Sequence, residues 1–234
     1  MEVIIMKRSE IQQAIDWAKN YLERSQLALP MFADWDLQEW KSHVKEAGTI
    51  ISTMRGWDVT TFGSDDFDKT GAVLFTIRNG LPDGSAGCPY AEKLIFMKDG
   101  QTLPNHFHKQ KTEDIINRSG GVLLIRVWNS LPNGSVDRSN DVRILTDGIE
   151  KYVPAGSFVE ITRGNSMTIY PGLYHLFTPK SGCGDIIVGE VSSINDDRTD
   201  NYFENLNPRF IPIEEDCEIR TPLCNELENL LKEK

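Results

Sequence analysis

With 35 acidic against 25 basic side chains in 234 residues, the chain carries a formal net charge of −10. Phosphate backbones and anionic bilayers demand a basic face, so neither nucleic acid nor a membrane is expected as a partner. Hydrophobic content of 39% and charged content of 26% exclude a disordered chain and suit one large folded domain or two small ones.

The four cysteines, Cys88, Cys183, Cys217 and Cys224, form no C-x-x-C pair and are too sparse for a disulfide framework. Val3-Ile-Ile-Met6 is too short for a signal-peptide core, and no stretch reaches the ~20 apolar residues of a membrane helix. A cytoplasmic location is the expectation.

Residues 9–25 predict a helix: Ser9 with Gln12 reads as a capping box, and Ile11, Ala14, Ile15, Ala18, Tyr21 and Leu22 share one face. A second helix is expected over 37–47, opened by Asp36 and Glu39 and stopped by Gly48, with Leu37, Trp40, Val44 and Ala47 on its apolar face. From residue 57 the texture turns to short strands: 57–62, 72–77, 90–97, 122–128, 157–162, 166–170, 174–178 and 185–191. Their density and Gly/Pro/Asn/Asp punctuation indicate a sandwich or barrel. Leu81-Pro-Asp-Gly-Ser85 and Leu131-Pro-Asn-Gly-Ser135 read as two uses of one turn chemistry, and an extra hairpin is expected around Asn133-Gly134. A short helix over 222–233 closes the chain. The expected division is a helical extension (1–56), a β domain (57–212) and a tail (213–234).

The chemistry concentrates in Gly100–Gly120. His106 and His108 stand two apart, so in an extended segment they project to one face. Glu113 follows and is expected to fold back on a partner strand of the same hairpin. Two imidazoles and a carboxylate suit Mn, Fe, Co, Ni or Zn with positions left open. His175, after a tight Pro-Gly turn, is the natural fourth ligand; His43, on the second helix, is expected to be structural. Between His108 and Glu113, Lys111 is the preferred lysine for a pocket cation, with Lys109 exposed.

The spacing G-x5-H-x-H-x4-E-x6-G resembles the first conserved motif of the cupin family at every defined position. Gly164, Gly172 and His175 match the second; Tyr170 stands at its proline, with Pro171 displaced by one, and Pro179 at its asparagine. The resemblance implies a mainly β fold, a cupin double-stranded β-helix barrel (jelly-roll) with N-terminal helices, and His106, His108, Glu113 and His175 on one metal. By analogy with cupins, a homodimer through edge strands is expected.

Residues 190–209 leave the last apolar strand dense in carboxylates and amides, a lining suited to a polyol, pinned by Phe203 and Pro208. The H-F-H-x-x-K-x-E core, the P-G-x-x-H segment and the E-V-S-S-x-N-D-D tail are together similar to the D-lyxose isomerases, cupin-type sugar ketol-isomerases. That resemblance implies an Mn2+-preferring enzyme, with Co2+, Fe2+ or Zn2+ as alternatives, interconverting D-lyxose and D-xylulose, with mannose and fructose as secondary substrates. Lys111 would then hold the O1/O2 end of the open-chain sugar. Glu204 is the first choice for the base, with Glu190 as runner-up. Asp197, Asp200 and Arg209 would bind hydroxyls or brace the loop. A metal-assisted hydride shift competes with proton transfer through a cis-enediol. A phosphosugar isomerase, a cupin dioxygenase and a metal-free sugar-binding cupin are the alternative readings; the scattered Arg118, Arg126 and Arg163 weigh against the first.

Overall fold

Strands that are apolar on both faces must be covered on both. The computed structural model describes residues 4–197, 199–205 and 208–232. After β1 (Met6–Lys7) come α1 (Arg8–Arg24), α2 (Leu37–Ser42) and α3 (Gly48–Ser52). The strands β2 (Gly56–Thr60), β3 (Ala72–Gly80), β4 (Gly87–Met97), β5 (Leu103–Phe107), β6 (Glu113–Gly120), β7 (Leu123–Ser130) and β8 (Val136–Asp137) follow. Then come β9 (Val142–Thr146), β10 (Ile149–Val153), β11 (Phe158–Ile161), β12 (Ser166–Ile169), β13 (Leu173–Pro179) and β14 (Ile186–Ser192). β15 (Tyr202–Phe203), β16 (Ile213–Glu214) and α4 (Leu227–Leu230) complete the chain.

An eight-stranded sheet, β10-β9-β12-β6-β14-β4-β3-β2, faces a six-stranded one, β11-β7-β13-β5-β15 with β8 on β7. Leu74, Ile95, Ile115, Met167 and Val188 from the first sheet meet Leu103, Ile125 and Phe177 from the second. This is the curled, jelly-roll barrel expected for a cupin. On the outer face of the larger sheet, Val73, Phe75, Leu94 and Phe96 meet Ile11, Ile15, Ala18, Phe32 and Trp40 of the helical layer. Alternation along β3 and β4 thus feeds two cores at once.

The first helix keeps its predicted buried face, Ile11, Ala14, Ile15, Ala18 and Leu22, but not its predicted cap. It begins at Arg8, and the Lys7 N–H donates to Glu10 at 2.9 Å. Ser9 and Gln12 bond to the tail instead, at Asp216 and Thr221. The fully buried Arg8 guanidinium is gripped by Glu215 and Glu226, so the tail is the counter-surface of α1. Its predicted helix over 222–233 shrinks to Leu227–Leu230, because Leu223 and Cys224 are buried and the Cys224 N–H donates to the Trp57 carbonyl; residues 233 and 234 lie outside the described residues.

The helix over 37–47 is also shorter. Its predicted Asp36–Glu39 capping box forms, but the helix stops at Ser42, where the His43 ring bonds the Glu39 carbonyl and stacks on Trp35. Gly48 then starts α3 rather than ending α2. The two Leu-Pro-(Asp/Asn)-Gly-Ser turns are alike: each glycine N–H donates to the leucine carbonyl, and each serine N–H to the Asp83 or Asn133 side chain at 3.0 Å. The hairpin around Asn133-Gly134 joins β7 to β8. The hairpin β9–β10 was not anticipated, although its turn residues Asp147 (φ 48°) and Gly148 (φ 81°) supply the left-handed pair such turns require. No helix of the described residues is long and apolar enough to cross a membrane.

Phe75 is fully buried, its ring 5.3 Å from Phe32 and 4.9 Å from Trp57. Phe75→Ala should cost about 3–5 kcal/mol in urea unfolding; a loss below about 1 kcal/mol would show that the helical layer is not part of the cooperative unit.

Candidate active site

The strand faces that carry the barrel core at one end carry charge at the other. On β4, Lys93 shares a face with Ile95 and Met97; on β14, Glu190 shares one with Val188 and Ile186; on β6, Glu113 shares one with Ile115. Glu190 lies opposite Lys93 across one ladder, and Ser192 opposite Glu113 across another. From the smaller sheet, His106 of β5 lies opposite His175 of β13 on one side and Phe203 of β15 on the other. The His106–Glu113 motif is therefore not one hairpin. β5 belongs to one sheet and β6 to the other, and Glu113 reaches the histidines across the barrel.

His106, His108 and His175 are buried, with ligand atoms within 4.8 Å of one another. Each Nδ1 faces a backbone carbonyl: Pro104 at 2.9 Å, Asp200 at 2.5 Å and Leu173 at 2.9 Å. A carbonyl only accepts, so each Nδ1 carries the proton and each Nε2 keeps its lone pair. The Nε2 atoms of His108 and His175 are buried without a hydrogen bond. Glu113 completes the set, with Oε1 3.2 Å from His175 Nε2 and Oε2 2.6 Å from Lys111 Nζ. Three clustered imidazoles, two of them with a buried Nε2 lacking a hydrogen bond, beside a carboxylate, fit a divalent transition-metal ion. The turn that brings His175 in needs glycine: Gly172 has φ 82°, and its N–H donates to the His108 carbonyl at 2.8 Å.

Beside the histidines runs a buried series of alternating charges. Asp58 pairs with Arg209 at 2.6 Å, Arg209 with Asp197 at 3.3 Å, and Asp197 with Lys93 at 3.4 Å. Lys93 then faces Glu190 at 3.9 Å, Glu190 pairs with Lys111 at 2.9 Å, and Lys111 with Glu113. Burial disfavours the Lys111 ammonium, but Glu113 and Glu190 outweigh it and raise its pKa. Burial likewise disfavours the Glu113 and Asp197 carboxylates, yet Lys111 beside the first and Lys93 and Arg209 beside the second hold both well below the usual range. His106 is pushed well below its ordinary 6.5 by burial and by its neighbours His175 and His108.

His106, Glu113, Lys111, Glu190, Lys93, Asp197 and Arg209 line a cavity of about 30 Å³, roughly the volume of one water, so a molecule larger than that enters only if part of the wall moves outward. Phe62, Phe177 and Phe203 supply its apolar wall, and Asn201 its amide.

Most of the residues singled out in the sequence meet here: the four ligand candidates, Lys111, Glu190, Asp197 and Arg209. Lys109 instead lies over the Tyr202 ring. Two others stand apart. Asp200 uses its carboxylate to accept the N–H groups of Lys109, Gln110 and Lys111 at 2.8, 3.3 and 2.9 Å, which shapes the turn that aims Lys111. Glu204 points away from the cavity, because Phe203 opposite His106 faces in and the next residue faces out. Its carboxylate pairs with Arg138 and accepts from Asn105 at 2.9 Å. Lys93 and Asp58 were missed by the sequence reading. Lys93 carries a usable signal: it is a lysine inside an apolar strand, in phase with Ile95 and Met97.

The comparisons bear on the same region. The model of a family described as D-lyxose isomerase matches residues 6–227. A D-lyxose/D-mannose isomerase of Escherichia coli O157:H7 is 40% identical over 224 residues, 94% of this chain and 98% of that protein. Another, of Serratia proteamaculans, is 38% identical over 223 residues, 94% and 97% of the two. Among solved structures, the L-ribose isomerase of Acinetobacter sp. DL28 in complex with L-ribose superposes with a TM-score of 0.58 at 15% identity, covering 92% of this chain and 100% of that one. The Geodermatophilus obscurus L-ribose isomerase gives 0.56 at 16%, covering 91% and 100%. Fold, site and relatives define a sugar isomerase of the cupin type. The chain belongs to the D-lyxose isomerase family.

Because burial keeps His106 and His175 neutral below their ordinary 6.5, the folded metal-free protein binds fewer protons than the unfolded chain there. Its stability should therefore fall as pH drops through and below that value, by up to about 1.4 kcal/mol per unit and histidine. In urea unfolding with chelator at about pH 7.5 and about pH 5.5, His106→Gln should lose less stability on acidification than the parent; equal losses would contradict the burial argument.

Proposed function

We propose that the protein is a metal-dependent aldose–ketose isomerase interconverting D-lyxose and D-xylulose, with D-mannose and D-fructose as further substrates sharing the C2–C3 configuration. The observation that carries this is the meeting, in one cavity, of a histidine–carboxylate centre with Lys111 and Glu190 at 2.9 Å. The names of the 38–40% identical relatives support the substrate choice. Each cation lining the cavity is already paired with a carboxylate, which favours a neutral sugar over a phosphorylated one.

His106, His108, His175 and Glu113 would hold the ion, for which we favour Mn2+. When bound, it supplies a Lewis acid at the sugar's O1/O2 end. Glu190 takes the proton from C2. The C2–H electron pair becomes the C1–C2 double bond as the C1 carbonyl oxygen gains a proton, giving a cis-enediol. Return of the proton from Glu190 to C1, with loss of the O2 proton, gives the ketose. Lys111 donates to the oxygen on which charge develops. Glu190 is preferred over Glu204 as base because it lines the cavity, whereas Glu204 is engaged by Arg138 and Asn105. Arg209 Nη1, a buried donor without a hydrogen bond, suits a distal hydroxyl, with Asp197 beside it. The three phenylalanines keep bulk water from the enediol.

Chelation should abolish turnover of D-lyxose and Mn2+ should restore it. Glu190→Gln should lower kcat/KM about 10²–10⁴-fold with unchanged metal content, and Glu204→Gln by less than about tenfold. An equal loss in both would move the base elsewhere. Isomerisation in D2O should place deuterium at C1 of the xylulose; complete retention of the C2 hydrogen would select a hydride shift.

A further inference from the structure

Lys93 is a buried lysine on β4, its side chain 3% exposed, in a run that is otherwise core. A buried ammonium persists only if it is paired. Its partners are unusual in being two carboxylates with different tasks: Glu190 directly opposite in the ladder at 3.9 Å, and Asp197 at 3.4 and 3.5 Å. Asp197 in turn holds Asn201 at 3.1 Å and Arg209, so Lys93 is one of the ties, beside the Asp200 carboxylate on the Lys109–Lys111 turn and the Asn79–Asn195 pair, that fasten the segment before β15 to the barrel.

The distances matter. Lys111 approaches Glu113 and Glu190 at full contact, 2.6 and 2.9 Å, whereas Lys93 stands back from both of its carboxylates. At 3.4–3.9 Å an ammonium attracts a carboxylate without occupying its lone pairs as a short hydrogen bond would. Lys111, Lys93 and the Ser192 hydroxyl all face Oε1 of Glu190, which fixes the carboxylate's orientation and leaves Oε2 to exchange a proton.

We propose that Lys93 is a positioning residue for the isomerisation: it holds Glu190 at the cavity and couples it, through Asp197, to the segment carrying Asn201 and Phe203. The kinetic part of this rests on the reading of Glu190 as the base; the mechanical part does not.

The test compares the parent enzyme, K93M, K93R and D197N, all Mn2+-loaded. K93M should keep its metal content and a KM for D-lyxose within about threefold of the parent, while kcat falls about a hundredfold. K93R should recover most of that loss. D197N, which releases the same strut at its other end, should lower kcat in the same manner, and adding K93M to it should lower kcat little further. Amide exchange in residues 199–205 should be faster in both K93M and D197N. A K93M enzyme with parental kcat, or one whose loss K93R does not repair, overturns the positioning role, as does unchanged exchange. If K93M does not fold, K93R and D197N still decide, because D197N with parental kcat and exchange is fatal to the idea. Failure of the isomerase reading is distinct: the parent itself would turn over no aldose, and the exchange data would still judge the strut.

Discussion

Seven buried charges, from Asp58 on β2 to Glu113 on β6, alternate in sign, and the positions of the surrounding elements follow from that series. Apolar side chains drive the sheets together but are indifferent to small displacements. Ions in a barrel interior are not: each must be paired at short range or its burial is prohibitively unfavourable. The series links β2, β4, β6 and β14 of one sheet to the segment that bears Asp197 and Arg209. Its three cations face four carboxylates, an excess of negative charge beside three imidazoles. The barrel end that repels an apolar filling is therefore ready for a cation.

The opposite face of the larger sheet solves a different problem. β3 and β4 are apolar on both sides, so one side needs a cover, which α1 and the aromatic residues Phe32 and Trp40 provide. The cover is itself secured by the tail through Arg8. Lys93 and Leu94 are neighbours in sequence, yet one serves the charge series and the other the helical layer. Trp57 and Asp58 on β2 and Ile187 and Glu190 on β14 divide in the same way, so a disturbance of the outer layer reaches the site through three strands.

Much of this was legible in the sequence. The meeting of the three histidines could be read because H-x-H and P-G-x-x-H carry their geometry locally: extended backbone puts two rings on one face, and a Pro-Gly turn delivers the third. The strand runs could be read from alternation. What failed depended on distant partners. Ser9 and Gln12 have the form of a capping box, but Asp216 and Thr221, two hundred residues on, took their side chains. In one dimension Glu204 stands ahead of Glu190 as the candidate base; only the pairing of β15 with β5 turns Phe203 in and Glu204 out. Glu113 was expected on the same hairpin as the histidines because sequence proximity suggests it, while a jelly roll passes successive strands between sheets. The β9–β10 hairpin is signalled locally by Asp147-Gly148, whose positive φ values suit a two-residue turn.

The three imidazoles are oriented by main-chain carbonyls of Pro104, Leu173 and Asp200, with no side chain involved. Orientation written in the backbone cannot be lost by exchanging one side chain for another; it is lost only if the chain itself moves. The rings held by Pro104 and Leu173 are thereby insulated from the exchange of single side chains around them. The ring held by Asp200 is the exception: that carbonyl lies in the segment that Asp197 helps to tie down, so a change at Asp197 reaches the His108 ring through the chain itself.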